Sequence, residues 1–169
     1  MGCATCDCYV VMQILCYGSI NDLPVFDNLT SLTFGGCIKS SYYMWPAVQL
    51  LLCQAPKLQT LVFELTLNVY NDSSPDNRLE YRLQKWLYVP DCLSSHLTFC
   101  YYKGFSGHEV EMELVRQVLK EACILKTMKI TFESHLDSEI KLCACKKLRK
   151  LQRRYPACQF EFDGGQVDF

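Results

Sequence analysis

The sequence predicts an α/β solenoid fragment, in which short parallel strands lie side by side with helices on one flank. Two observations carry the prediction. A six-residue pattern, apolar at its first, fourth and sixth places, recurs along the chain. The stretches between its copies read as helices with their own start and stop signals.

The first copy is Leu29-Thr30-Ser31-Leu32-Thr33-Phe34 and the second is Leu58-Gln59-Thr60-Leu61-Val62-Phe63. The third, Leu97-Thr98-Phe99-Cys100-Tyr101-Tyr102, puts Cys100 and Tyr102 in apolar places, and the fourth runs from Leu125 through Met128 to Ile130. Leu29 and Leu58 are 29 residues apart and Leu97 and Leu125 are 28 apart. The 39 residues between Leu58 and Leu97 leave room for an insertion, assigned to the turn-rich segment near 71–77. A period of about 20–29 residues is that of leucine-rich repeats, each a strand and a helix. Cys158–Phe162 alternates and closes the series as a fifth strand.

The first helix is expected from Trp45-Pro46, with proline at a position where its missing N–H costs nothing, through Val48, Leu51 and Leu52 to a stop before Pro56. The second is expected to open on a Ser106…Glu109 capping box and to line Val110, Leu114, Val118 and Ala122 on one face. The third is expected from about Asp137 to Tyr155, with Ile140, Ala144, Leu148, Leu151 and Tyr155 in one stripe and Pro156 ending it. A unit this short cannot bury its own apolar face, so the units must stack, leaving one sheet face open.

Composition excludes several roles. Formal net charge is −1 and the pI about 6.3, without the broad basic field that nucleic acid or an anionic membrane requires. The longest apolar run near the start, Tyr9 to Tyr17, is broken by Gln13 and too short to span a bilayer or, lacking a basic leader, to act as a signal peptide. Met1-Gly2-Cys3 lacks the hydroxyl residue that myristoylation wants at position six, where Cys6 stands. Twelve cysteines are many for this length. Cys53, Cys100, Cys123 and Cys143 fall where the pattern expects helix or strand interiors, which suits small reduced hydrophobes and an intracellular chain, cytoplasmic or nuclear. The sequons at Asn28 and Asn71 are then without consequence.

Specific stretches carry a resemblance. Leu23-Pro24 with Phe26-Asp27-Asn28-Leu29-Thr30-Ser31-Leu32, and Ala55-Pro56-Lys57-Leu58-Gln59-Thr60-Leu61-Val62-Phe63, are similar to repeats of plant F-box/leucine-rich-repeat proteins. Val89-Pro90-Asp91-Cys92-Leu93-Ser94-Ser95-His96-Leu97, Gly104-Phe105, Gly107-His108-Glu109, and Leu119-Lys120-Glu121-Ala122 with Leu125-Lys126-Thr127-Met128 resemble an FBD domain. The resemblance implies an unassigned cysteine-rich segment at 1–22, leucine-rich repeats at 23–88, an FBD domain at 89–163 and a loose tail at 164–169. It also implies the target-recognition part of a cullin-ligase adaptor. No F-box is found ahead of the first matching repeat, so this chain is not expected to bind a Skp-type linker by itself.

Other chemistry is thinly represented. Cys3, Cys6 and Cys8 can be paired on paper with Cys143 and Cys145 as metal ligands, but those pairs lie about five strands apart; a small metal- or redox-dependent cysteine protein is the alternative reading. His96, His108 and His135 sit at turns or element boundaries without a nucleophile pattern. Lys146, Lys147, Arg149, Lys150, Arg153 and Arg154 lie opposite the apolar stripe near a helix C-terminus, which favours cations, and read as a solvated face. With no phosphate loop, paired-carboxylate site or nucleophile motif, the expectation is a protein-binding module without cofactor, not an enzyme. Its partner is an unknown protein, not nucleic acid or membrane.

Strand alternation nominates the binding face. Thr33, Val62, Tyr101, Lys129 and Glu161 occupy the places between the apolar ones and are expected to form one row on the open face. Tyr101 is the expected anchor, with Lys129 and Glu161 adjacent and able to pair. No cap precedes the first recognised repeat, so an exposed strand edge and self-association are expected unless residues 3–20 supply one.

Overall fold

The computed structural model describes residues 24–35, 48–65 and 89–162, and residues 2–7, 36–38, 44–47 and 66–67 by their backbone alone. The inserted segment near 71–77 and the tail at 164–169 lie outside the described residues. Among the described residues six strands form one sheet in chain order, and every neighbouring pair is parallel. They are β1 (Gly2–Asp7), β2 (Leu29–Ile38), β3 (Thr60–Leu67), β4 (Phe99–Phe105), β5 (Thr127–Phe132) and β6 (Gln159–Phe162). The helices are α1 (Met44–Cys53), α2 (Asp91–Ser95), α3 (Glu109–Glu121) and α4 (Ser138–Arg149). This is an α/β leucine-rich-repeat-like solenoid fragment.

The leading leucine of each repeat lies just before its strand rather than in it, apart from Leu29. Leu58, Leu97 and Leu125 are all buried. Beside them, a backbone ladder links the strand entrances: Gln59 N–H donates to the Thr30 carbonyl, Thr98 to Gln59, Lys126 to Thr98 and Gln159 to Lys126, at 2.8–3.0 Å. The ladder satisfies groups that the strands would otherwise leave unpaired at the turn.

Inside the strands the alternate places become layers. Leu32, Leu61, Cys100, Met128 and Phe160 share one register row, and Phe34, Phe63, Tyr102, Ile130 and Phe162 share the next. In the second row Phe34 stacks on Phe63 at 5.7 Å and Phe63 meets Tyr102 at 5.8 Å, within the range of favourable ring pairs. Against this face pack Val48, Leu51 and Leu52 from α1, Met112, Leu114, Val115, Val118 and Leu119 from α3, and Ala144 and Leu148 from α4.

The capping of α3 departs from the expected Ser106–Glu109 box. The N-cap is His108, and the carboxylate that closes the turn belongs to Glu111. Its Oε2 accepts from the Ser106 N–H (3.0 Å), the Ser106 hydroxyl (2.8 Å) and the His108 N–H (3.0 Å), and Oε1 accepts from the Tyr102 hydroxyl (3.1 Å). Gly104 and Gly107, at φ 72° and 85°, let the chain double back so that these donors converge. Burial nevertheless pushes the Glu111 carboxyl above its ordinary range, against the opposing pull of the four donors.

Other expectations are corrected. β1 adds a sixth strand from within the unassigned segment 1–22, and it forms one edge of the sheet. α2 is a one-turn helix that hydrophobic periodicity does not reveal. α4 ends at Arg149, well before Tyr155 and Pro156, and Ile140 is 50% exposed although it fits the apolar stripe. Asp137 caps α4 through the Glu139 N–H, and this fixes the start one residue after Asp137 and leaves Ile140 in the first turn, beyond the core. Of the four cysteines expected inside elements, Cys100 is buried, Cys123 is half-buried beyond the end of α3, and Cys53 and Cys143 are exposed; Cys92 and Cys158 are the other buried thiols among the described residues.

Candidate interaction face

Every helix that contributes to the core packs on one face of the sheet, because each parallel strand connection must cross over on the same side. On β2 to β5 the opposite face carries the half-buried and exposed places that alternate with the buried ones. Register pairing joins Thr33 to Val62, Val62 to Tyr101, Tyr101 to Lys129 and Lys129 to Glu161. The five nominated residues therefore form one continuous row, and the backbone of Thr5 on β1 pairs in register with Thr33 at its β2 end. Thr33, Val62, Tyr101 and Lys129 are half-buried and Glu161 is exposed.

The face is uneven in bulk from β2 to its centre at β4. Ser31, Thr33 and Gly35 on β2 and Thr60 on β3 are small, whereas β4 presents Phe99, Tyr101 and Lys103. Phe99 and Tyr101 meet edge to face at 6.4 Å. The Lys129 ammonium lies 4.9 Å from the Tyr101 ring centroid and that of Lys103 lies 5.4 Å from it, within cation–π range. The Tyr101 hydroxyl comes within 3.5 Å of the Thr131 hydroxyl. Lys103 also pairs with Glu64 on β3, and this hydrogen bond raises the lysine pKa.

The expected Lys129–Glu161 pair is not among the ion pairs of the described residues. Lys129 turns to Tyr101 instead, since a ring one strand away holds an ammonium without the full solvent screening of an exposed carboxylate. The nominated row also passes over Phe99, Lys103 and Glu64. Each lies two places from a nominated residue on its own strand, so the same alternation identifies them.

The other candidate chemistry stays dispersed. His96, His108 and His135 are exposed; His96 Nδ1 meets the neighbouring Ser95 hydroxyl at 2.7 Å. No group of three or more metal-ligating side chains occurs among the described residues. β1, which carries Cys3 and Cys6, is one edge of the sheet, whereas Cys143 and Cys145 lie on α4 between the last two strands. Four strand spacings, about 19 Å, separate β1 from β5, too far for a shared ion. The basic stretch is less uniform than a solvated face: the guanidinium of Arg149 lies 5.4 Å over Phe162, that of Arg153 lies 4.9 Å over Phe160, and Arg154 pairs with Glu121. No helix among the described residues is long and apolar enough to cross a membrane.

Comparison with known proteins gives this geometry a context. Residues 84–130 match the FBD family model. An F-box/LRR-repeat protein of Arabidopsis thaliana, itself named as putative, is 27% identical over 158 residues, covering 89% of this chain and 33% of the relative. An F-box/FBD/LRR-repeat protein of the same plant is 32% identical over 130 residues, covering 70% of this chain and 27% of the relative. The chain spans about a third of the length of the curated relatives it matches. No solved structure matches. Over most of its length, this chain resembles the leucine-rich-repeat and FBD part of plant F-box proteins.

Proposed function

We propose that this chain is a protein-binding module whose open sheet face holds a target protein, as the recognition part of an F-box-type ubiquitin-ligase adaptor. Residues 23–88 serve as repeats and 89–163 as the FBD unit, sharing one sheet. The observation that carries the reading is the unbroken row from Thr33 to Glu161 on a face that no described helix covers, with half-buried Tyr101 at its centre. Aromatic side chains surrounded by contacts that themselves add little energy but exclude water are where binding energy concentrates. The small side chains on β2 and the Phe99–Tyr101 ridge on β4 give a partner a stepped surface to fit.

The test is a pull-down from plant tissue with wild type and Tyr101→Ala in parallel, alongside their melting curves. A protein retained by wild type and lost by the variant, with Tm within about 2 °C, supports the open face. For a domain of this size, a Tm shift that small corresponds to no more than about 1 kcal/mol of stability. Equal retention by both, or loss of binding together with loss of fold, refutes it.

A further inference from the structure

The β6 end of the solenoid carries charge that the described part of the molecule leaves unneutralised. Lys146, Lys147, Arg149, Lys150, Arg153 and Arg154 crowd the end of α4 and the turn after it, and among the described residues only Arg154 has a carboxylate, Glu121 at 3.7 Å. Lys146, Arg149 and Lys150 share one side at i, i+3 and i+4, opposite buried Ala144 and Leu148. Helix-dipole stabilisation accounts for a cation or two in a last turn; here Lys146, Lys147 and Arg149 stand in it and three more follow.

Two of the six are held in place. Arg149 lies over Phe162 and Arg153 over Phe160, and these rings stack on each other at 5.6 Å. Arg153 also donates to the Cys158 carbonyl at 2.7 Å. Fixed guanidiniums lose little freedom when they meet a carboxylate in a forked pair. Beside them runs β6, the last strand in the sheet order, whose outer edge faces no other described strand.

We infer that this end of the molecule is a second docking surface, separate from the open sheet face, for an acidic polypeptide segment that lies extended along β6 with its carboxylates against the α4 cations. A sheet edge offers main-chain hydrogen bonds to an extended peptide, and the cations select its charge. Nucleic acid fits less well: the Phe160 and Phe162 rings already lie under guanidiniums, so they are not open for bases to stack on.

The experiment measures fluorescence-anisotropy binding of the full chain to a labelled decapeptide of alternating Glu and Thr, and to a labelled oligothymidylate. Lys150→Glu and Lys146→Glu are compared with Lys57→Glu, which makes the same charge change at an exposed loop residue away from this end. The expected result is peptide binding that weakens about fivefold or more with either α4-end variant, less than about twofold with Lys57→Glu, and falls with added salt. Both α4-end residues are exposed, so melting should be unchanged, and the two variants check each other should one fail to fold. Absence of peptide binding, equal losses for all three variants, or tighter binding of the oligothymidylate would each overturn the inference.

Discussion

Replacing Glu111 by Gln tests how the FBD turn is held to the sheet. The side chain is 2% exposed and its carboxylate faces four donors: the Ser106 N–H and hydroxyl, the His108 N–H and the Tyr102 hydroxyl. A glutamine keeps the shape but has one carbonyl oxygen, which can accept about two of them, and it turns its own NH2 toward the rest. Two donors are left without an acceptor. At about 1–1.5 kcal/mol each, the loss is about 2–3 kcal/mol near neutral pH. For a domain of this size that lowers Tm by about 4–12 °C.

The pH dependence has a definite sign. Burial holds the folded-state pKa of Glu111 above its unfolded value of about 4.3. The folded protein therefore binds this proton more tightly than the unfolded chain does. Glu111 contributes most at and below the unfolded pKa, and that share is lost as pH rises through the folded value. Glutamine does not titrate, so the Tm gap between wild type and Glu111→Gln should be wider near pH 4.5 than at pH 7.5, by circular-dichroism melts at both. A gap that narrows on acidification would show that the four donors outweigh burial. A gap below about 1 °C at both pH values would show that the turn does not depend on Glu111 at all.

Leu97→Ala should cost about 2–5 kcal/mol in denaturant melts, because Leu97 is fully buried at the entrance of β4. Gly104→Ala should lose about 1–2 kcal/mol from its positive φ alone, since no atom lies within 4 Å of the added Cβ, and Gly104→Asn should lose less. Lys103→Ala should change stability by no more than about 1 kcal/mol, as its pairing with Glu64 is exposed, and double-mutant melts with Glu64→Ala would measure it. In native alkylation followed by mass spectrometry, Cys143 should react before Cys92, whose thiol is buried and pushed up to about 12; the order should vanish in denaturant.

What the sequence makes legible is what local periodicity encodes. Leu32, Leu61, Cys100 and Met128 occupy the inner row because strand alternation leaves no other place for them, and the same rule puts Tyr101 and Lys129 in a shared outer row. Even Cys100 and Tyr102, polar in name, are identified by position. What stays illegible depends on contacts between elements. Glu111 carries no local mark that distinguishes it from Glu109; only the fold of Gly104 to Gly107 brings four donors to one of the two carboxylates. Lys129 has an acidic neighbour in register and a ring on its other side, and the choice of the ring depends on where both side chains reach.

β1 is the instructive case. Gly2-Cys3-Ala4-Thr5-Cys6-Asp7 is poor in the branched and aromatic residues that mark a strand, with Thr5 alone among them, so propensity gives little reason to expect one. It pairs in parallel with β2, in register from Cys3 opposite Ser31 to Asp7 opposite Gly35, apart from a bulge at Gly2. A parallel edge strand is specified by the template beside it: β2 offers a row of unpaired backbone groups, and the cost of leaving them unpaired decides the conformation of a segment that is itself nearly indifferent. The edge that the repeats alone would have left at β2 is thereby moved outward to a strand of small residues, with Cys6 in register with Phe34. That removes the particular exposure on which self-association was expected, since β2 now has a strand on each side, and it moves the question of association to the outer edges of β1 and β6.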